Sequence, residues 1–376
     1  MDQNKPKTPV IGICISNAKR EFQKLAKARL ERYPGDMTLI RFHIKDLDFE
    51  NLQVKGVYLE KKGREMNRKK GVFPLPEVIY LQCHVDDKLV KKIEGVIGRR
   101  VFNSFIFDKW ECWDLLEKDD ALRRHLPYTQ KLENGTNLQQ FLYNYEDIFL
   151  KPIDPSHGHS SKGIFRVKLL ANSKELNYHN ILQSVKDFFV TKQKLQKEGS
   201  ILVTYLKQGE MQRESFELYK KFQDWILPKF SKNYIMQQSI QTIKWKEKVT
   251  DIRLNMNKNG KGDWEVSLLL LRVALNDSHC TPRVLTARPM RSLTKMFPND
   301  KNMENIETAV VDIGFKICDC LDESGYHMAD LGVDLGLDEN GHLWVFEVNP
   351  LPHPLIGVPD HSMTKPLEYA AYLTLE

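Results

Sequence analysis

Leu331-Gly332-Val333-Asp334-Leu335-Gly336-Leu337, then Asp338-Glu339-Asn340-Gly341, then His342-Leu343-Trp344-Val345-Phe346-Glu347-Val348-Asn349: this stretch alternates in polarity and is broken once by a turn signal. Alternation of this kind marks strands with one buried face. Asn-Gly is the preferred centre of a two-residue type I′ turn. With Asn340 and Gly341 at that centre, Asp334 falls opposite Glu347 and Gly332 opposite Asn349. Successive side chains point to opposite faces of a strand, so Asp334, Glu347 and Asn349 share one face. Leu331, Val333, Leu335, Trp344, Phe346 and Val348 are expected on the other, as a core face. Two carboxylates held this close repel unless a cation neutralises them. An all-oxygen set selects a hard cation, Mg²⁺ or Mn²⁺, completed by phosphate oxygens. Spacing alone leaves a second reading open, the solvent-facing polar side of an edge hairpin.

Upstream, Lys246–Asn257 and Trp264–Leu275 read as a second hairpin around Lys258-Asn259-Gly260-Lys261. Its first strand carries Asp251, Arg253 and Asn255 on one face, and Arg272 sits on the partner strand. Arginines projecting from a sheet want an anion or a carboxylate. A cross-strand pair with Asp251 satisfies that demand as well as a ligand would. Further upstream, Lys151 ends the strand Asp147–Lys151 and opens a polar loop to Gly163. Small residues let backbone N–H groups approach phosphate, and a lysine adds a point charge. The loop is not a Walker A loop, because Ile164-Phe165 stands where Lys-Ser/Thr is required.

The remaining chain supplies a frame for these elements. Val10–Ile15, Thr38–His43, Gly56–Leu59 and Val78–Cys83 read as strands, with helices before Arg32 and over Leu89–Ile97, which predicts a small α/β domain with a partly parallel sheet. Helical spacing of Trp110, Trp113, Leu115 and Leu116 is expected in a stretch from Lys109 that Leu126-Pro127 ends, with further helices near 178–197 and 213–227 and over 302–324, and strands at 164–170 and 234–238.

The 376 residues carry 56 Lys/Arg and 50 Asp/Glu, a net charge of +6. Residues 1–108 hold 22 Lys/Arg against 14 Asp/Glu, so the excess belongs to the first third, partly in Lys61–Lys70. That run is expected to be a solvated loop or hairpin tip, and nucleic acid is not an expected partner. Neither is a membrane: no apolar run approaches the roughly 20 residues of a spanning helix, and Met1–Pro9 has no signal-peptide core. The six cysteines (Cys14, Cys83, Cys112, Cys280, Cys318, Cys320) show no finger or ribbon spacing, which points to a reduced intracellular chain without zinc.

Seven segments, in this order, resemble the ATP-grasp superfamily and more closely its YheC/YheD branch of endospore coat-associated proteins. They are Gly71-Val72-Phe73-Pro74-Leu75-Pro76-Glu77-Val78-Ile79-Tyr80, Phe107-Asp108-Lys109-Trp110-Glu111, Leu126-Pro127-Tyr128-Thr129, Phe149-Leu150-Lys151-Pro152, Tyr234–Ile240, Asp251-Ile252-Arg253, and Leu331–Gly336 through Phe346–Pro350. The resemblance implies an α+β ATP-grasp fold with an N-terminal α/β pre-ATP-grasp domain (1–108) and an ATP-grasp domain (109–376). The latter would hold a lid subdomain at about 146–240 and an antiparallel C-terminal core. ATP would lie between lid and core. Lys109 and Lys151 match the nucleotide-contacting lysines, and Gln237, Gln238 and Ile240 match the hinge whose backbone bonds adenine. Arg253 and Arg272 match arginines near the transferred phosphoryl group, and Asp334, Glu347 and Asn349 match the magnesium ligands.

The implied activity is ATP- and Mg²⁺-dependent ligation of a carboxylate to an amine through an acylphosphate. The substrates would be small molecules or peptides, and the setting cytoplasmic or spore-coat associated. A phosphotransferase and a non-catalytic, nucleotide-binding coat protein are the alternatives on the same scaffold. The chain departs from the family at Pro155, at Thr286-Ala287-Arg288-Pro289-Met290, at Leu81-Gln82-Cys83 and at the prolines after Asn349. The first bears on the lid loop and the other three on regions that shape a substrate pocket, so the family's substrates do not carry over.

Overall fold

Three six-stranded sheets follow one another along the chain in the computed structural model. The structure describes residues 9–16, 20–153, 163–170, 200–208, 210–230, 233–275, 284–290, 305–354 and 360–376. The expected helix at 178–197, most of the loop after Lys151 and Cys280 lie outside the described residues.

The first sheet uses β1 (Val10–Ile15), β2 (Met37–Asp48), β3 (Gln53–Lys62), β4 (Glu65–Pro74), β5 (Val78–Gln82) and β6 (Val101–Phe102), in the order β4-β3-β2-β1-β5-β6. The pairs β1–β2, β1–β5 and β5–β6 are parallel, as expected, and β3–β4 is an antiparallel hairpin at the edge. β1 and β5 are unbroken apolar runs because both faces are covered. Ile11 and Ile13 pack with Leu25 and Leu30 of α1 (Arg20–Arg32). Cys14, Ile79 and Leu81 pack with Val90 and Ile93 of α2 (Asp87–Ile97). The basic run Lys61–Lys70 turns at Gly63-Arg64 and is itself the hairpin.

The second part begins with α3 (Lys109–Leu116) and α4 (Asp120–Arg123). Its sheet holds β7 (Thr129–Lys131), β8 (Asp147–Pro152), β9 (Phe165–Leu170), β10 (Ser200–Lys207), β11 (Glu210–Phe216) and β12 (Tyr234–Gln238), ordered β11-β10-β9-β8-β12-β7 and antiparallel throughout. Beneath it, α5 (Gly135–Tyr145) contributes Leu138, Phe141 and Leu142, and α6 (Tyr219–Ile226) contributes Phe222 and Ile226. The sheet thus takes in Thr129, ahead of the expected lid start at 146. The helix expected at 213–227 is half strand: Glu210–Phe216 ladders onto β10, and the helix begins only at Tyr219. The hairpin ladder onto the preceding strand decides those residues, which helical periodicity does not register.

The C-terminal sheet holds β13 (Lys244–Trp245), β14 (Lys248–Lys258), β15 (Trp264–Ala274), β16 (Val284–Pro289), β17 (Asp330–Leu337) and β18 (Leu343–Asn349). Its main path runs β16-β15-β14-β17-β18. The stripe Val310, Ile313, Ile317 and Leu321 of α7 (Ile306–Glu323) covers Ile252, Leu254, Leu331 and Val333, forming one core. The chain closes with α8 (Lys365–Leu373), whose Leu367 and Ala370 return to the core of the first sheet.

The β17–β18 hairpin corrects the expected turn. Asp338–His342 forms the loop, with the Asp338 carboxylate accepting from the N–H groups of Asn340 and His342 at 2.9 Å each. Leu337 pairs with Leu343, one residue away from the two-residue register. A bulge at Phe346 then restores it, so Asp334 lies opposite Glu347 and Gly332 opposite Asn349 as expected. The bulge also changes the faces. Leu343, Val345 and Val348 enter the core, while Trp344 and Phe346 are half-buried outside it.

His327 sits where the first sheet meets this core, its Nε2 2.5 Å from the Tyr369 hydroxyl. Burial, reinforced by Lys258 and Arg99, pushes its pKa down to about 4. The native state therefore excludes a proton that the unfolded chain binds below about pH 6.5. Stability is full above that pH and falls as pH drops toward 4. We expect urea midpoints measured between pH 7 and 4.5 to fall less steeply in His327→Gln than in the parent. Equal slopes would show that His327 is not titrating this way.

Candidate functional site

A cleft opens between the middle and C-terminal sheets. Its lining is largely apolar: Cys112, Trp113 and Leu116 of α3, with Leu126, Ile235 and Phe346. Lys109, Lys151, Gln237 and Glu347 supply the polar part. A slot with an apolar body and a few convergent polar groups is the usual form of a small-molecule site.

Each polar group arrives on a rigid element. Lys109 opens α3, where Asp108 caps the helix by accepting from the N–H groups of Trp110 and Glu111 at 2.8 Å each. Its Nζ lies 2.8 Å from Glu347 Oε1 across the cleft. Lys151 on β8 and Gln237 on β12 stand on adjacent strands, and Lys151 Nζ donates to Gln237 Oε1 at 2.5 Å. Gln237 Nε2 donates in turn to Thr129 Oγ1 at 3.1 Å, which fixes the amide. Gln238 and Ile240 continue from the end of β12. The Gln238 N–H is taken by the Tyr128 carbonyl at 2.9 Å, so that part of the expected hinge is engaged within the protein. Phe346 reaches the cleft because Gly336 beneath it has no side chain: a Cβ there would sit 2.2 Å from the Phe346 ring.

Beside the slot lies a second cluster on the C-terminal sheet. Arg253 donates to Asp334 Oδ1 at 2.8 Å and Arg272 to the same oxygen at 3.0 Å. Arg272 also binds Asp251 through two bonds, 2.6 and 2.7 Å. The cross-strand pair considered from the sequence is therefore present, and Arg272 reaches Asp334 as well. Asn349 Nδ2 approaches Asp334 Oδ2 at 3.5 Å. Gly332 permits the arrangement: a Cβ there would meet Arg253 at 2.4 Å and Pro352 at 2.9 Å.

Burial pushes the Asp334 carboxyl up, and Arg272 and Arg253 outweigh it, holding the group below the usual carboxylate range. Burial likewise works against the Arg272 charge, and Asp334 and Asp251 reverse that effect. The three carboxylates Asp251, Asp334 and Glu347 thus meet three cations, Arg253, Arg272 and Lys109. Among the described residues no group of three His, Cys, Asp or Glu side chains stands ready for a metal. The set Asp334, Glu347 and Asn349 is two carboxylates and one amide, and Lys109 engages only one Glu347 oxygen. That donor chemistry suits a hard cation that arrives with its own phosphate oxygens.

Lys109, Lys151, Gln237 and Glu347 are thus brought to one cleft, with Arg253, Arg272, Asp334 and Asn349 in the adjoining cluster. Sequence reasoning missed the α3 wall. Trp113 and Leu116 stood out by helical spacing, but spacing alone does not separate a cleft wall from a core stripe. The Cys112 thiol in that wall is buried, and burial pushes its pKa up, so it is packing material and not a nucleophile.

The chain is 23% identical over 353 residues to the endospore coat-associated protein YheD of Bacillus subtilis (strain 168), covering 89% of this chain and 70% of that one. It is 21% identical over 325 residues to YheC of the same organism, covering 83% and 80%. Among solved structures it resembles the VanG D-Ala:D-Ser ligase of Enterococcus faecalis, with a TM-score of 0.51 at 11% identity, covering 98% of each chain. Residues 98–373 match the family described as YheC/D like ATP-grasp, a span that includes every residue of the cleft and of the arginine–carboxylate cluster, and the chain belongs to that family.

Proposed function

We propose that this chain is an ATP-dependent ligase that joins a carboxylate to an amine by way of an acylphosphate. The observation that carries this reading is the junction of two differently built sites. The largely apolar slot also holds Glu347, and the Asp334–Arg253–Arg272 cluster lies across the strand pair from it. A purine would fit between Trp113, Leu116 and Ile235, with Gln237 at its edge. Lys109 and Lys151 would meet its phosphates as point charges. Mg²⁺, held by Asp334, Glu347 and Asn349, would supply charge neutralisation between neighbouring phosphates. Arg253 and Arg272 would face the transferred phosphoryl group and hold the accepting carboxylate against it. Positioning and electrostatics then account for most of the catalysis, as in phosphoryl transfer generally.

ADP with Mg²⁺ is expected to raise the melting temperature, because a ligand of the native state alone adds about 2.7 kcal/mol at a hundredfold excess over Kd. Lys151→Ala should remove most of that shift and leave the apo melting temperature in place. No shift in the parent at millimolar nucleotide would end the nucleotide reading. One observation favours the non-catalytic alternative: Asp334 and Glu347 are already neutralised by protein cations. ATP turnover with paired acid and amine libraries separates the two readings.

A further inference from the structure

The hairpin Gln53–Pro74 holds seven Lys/Arg (Lys55, Lys61, Lys62, Arg64, Arg68, Lys69, Lys70) against two Glu (Glu60, Glu65), a net charge of +5. The whole chain carries +6. Three of the seven, Arg68, Lys69 and Lys70, sit with Glu65 on β4, the terminal strand of its sheet, ten residues long. Its outer backbone edge has no strand beside it among the described residues.

The register sorts the charges by face. Arg68 lies opposite Leu59, and Lys70 opposite Val57. Arg41 lies opposite Val57 from the other side. Arg68, Lys70 and Val72, the last 59% exposed, therefore form one row along β4, with Arg41 on the same face two strands away. The only acidic side chains of the hairpin, Glu60 and Glu65, belong to the opposite face. There Glu60 is paired with Lys62. Lys61 turns inward to the carbonyl groups of Glu31 and Tyr33. No ion pair to Arg68 or Lys70 occurs among the described residues.

We propose that β4 is a docking edge for an extended acidic polypeptide segment, which adds to the sheet as a further strand. Backbone groups would pair along the open edge, and alternate acidic side chains would meet Arg68 and Lys70, with an apolar side chain against Val72. A second copy of this chain is disfavoured, because two such edges bring like charges together. Single-stranded nucleic acid is disfavoured as well. It needs exposed aromatic faces for stacking, and Lys69 lies over the rings of Tyr58 and Phe73, at 4.5 and 5.8 Å. The site is separate from the nucleotide cleft and does not rest on the reading of that cleft.

The test uses the full chain and a labelled dodecapeptide of glutamate alternating with threonine and valine. Binding is followed by anisotropy and by hydrogen exchange. We expect binding that weakens about tenfold between low and moderate salt, with new exchange protection in residues 65–74. Arg68→Glu/Lys70→Glu should weaken it at least about tenfold, while the ADP-dependent thermal shift stays at the parent value. A peptide with prolines at alternate positions, which lacks the N–H groups, should bind at least about tenfold more weakly. Absent protection over 65–74, undiminished binding by the charge-reversed variant, or equal binding of the proline peptide or of single-stranded DNA would each overturn the proposal.

Discussion

Arg29→Met is expected to destabilise the folded chain by about 3–5 kcal/mol, the usual result of leaving one charge of a buried pair alone. Arg29 and Asp330 are both fully buried, and their side chains meet at 3.4 Å. Arg29 also donates to the carbonyl groups of Ser362 and Met363 at 2.6 and 2.9 Å. Asp330 accepts from the Tyr80 hydroxyl and from Asn257 Nδ2 at 2.9 Å. Asn103 holds the backbone around it, donating to the Asp330 and Pro350 carbonyls and accepting from the Ala329 and Asp330 N–H groups. One polar knot thus joins α1 and β5 of the first sheet to β17 and to the turn before α8.

Burial pushes the Asp330 carboxyl above its usual range, and the Arg29 charge opposes that. Without Arg29 the native state gains affinity for a proton, so the deficit should shrink as pH falls from 7 toward 5. Arg29→Met/Asp330→Asn should recover much of the loss, since a neutral pair leaves no orphaned charge. Urea midpoints and melting temperatures of the two variants check both statements. A double variant no better than the single one would mean that Arg29 acts through its carbonyl contacts and not through the carboxylate.

This knot also shows what the sequence conceals. Arg29 reads as one more basic residue on a basic helix, and Asp330 as the polar first residue of a strand. Their meeting depends on how two sheets dock, 301 residues apart in sequence, and no local pattern encodes that. The strand-borne residues were far more legible, because alternation and pairing are local rules. Asp334 opposite Glu347 follows from the pattern and is present, and so is the Arg272–Asp251 pair, which the pattern left open beside an anion. Even so, the first was reached through a two-residue turn that does not exist. The loop is displaced by one residue and the Phe346 bulge cancels the displacement. Bulges have no dependable sequence signal, and this one is why Val345 and not Phe346 enters the core. The Lys109–Glu347 contact, between a helix start and a distant strand, has no local signal; the family resemblance implied separate roles for the two residues at one site and not the pair itself.

Glu347→Gln is expected to remove turnover on the order of 10²–10³-fold while lowering ADP affinity by less than about tenfold. The substitution keeps shape and removes charge. Val345 and Val348 hold β18 to the core, so the hairpin should pack as before. Lys109, 2.8 Å from Glu347 Oε1, keeps an oxygen to donate to and stays in place. The slot between Trp113, Leu116 and Ile235 is untouched. What changes is the anionic donor set: Asp334 is already held by two guanidinium groups, so Glu347 carries a larger share of any attraction for a divalent cation. The effect should therefore appear first in magnesium dependence. Calorimetric titration of ADP into the parent should tighten with added Mg²⁺, and the same titration into the variant should respond weakly. That comparison needs no knowledge of the substrate. A variant whose ADP affinity depends on Mg²⁺ as the parent's does would place the cation elsewhere and remove this hairpin from the metal site.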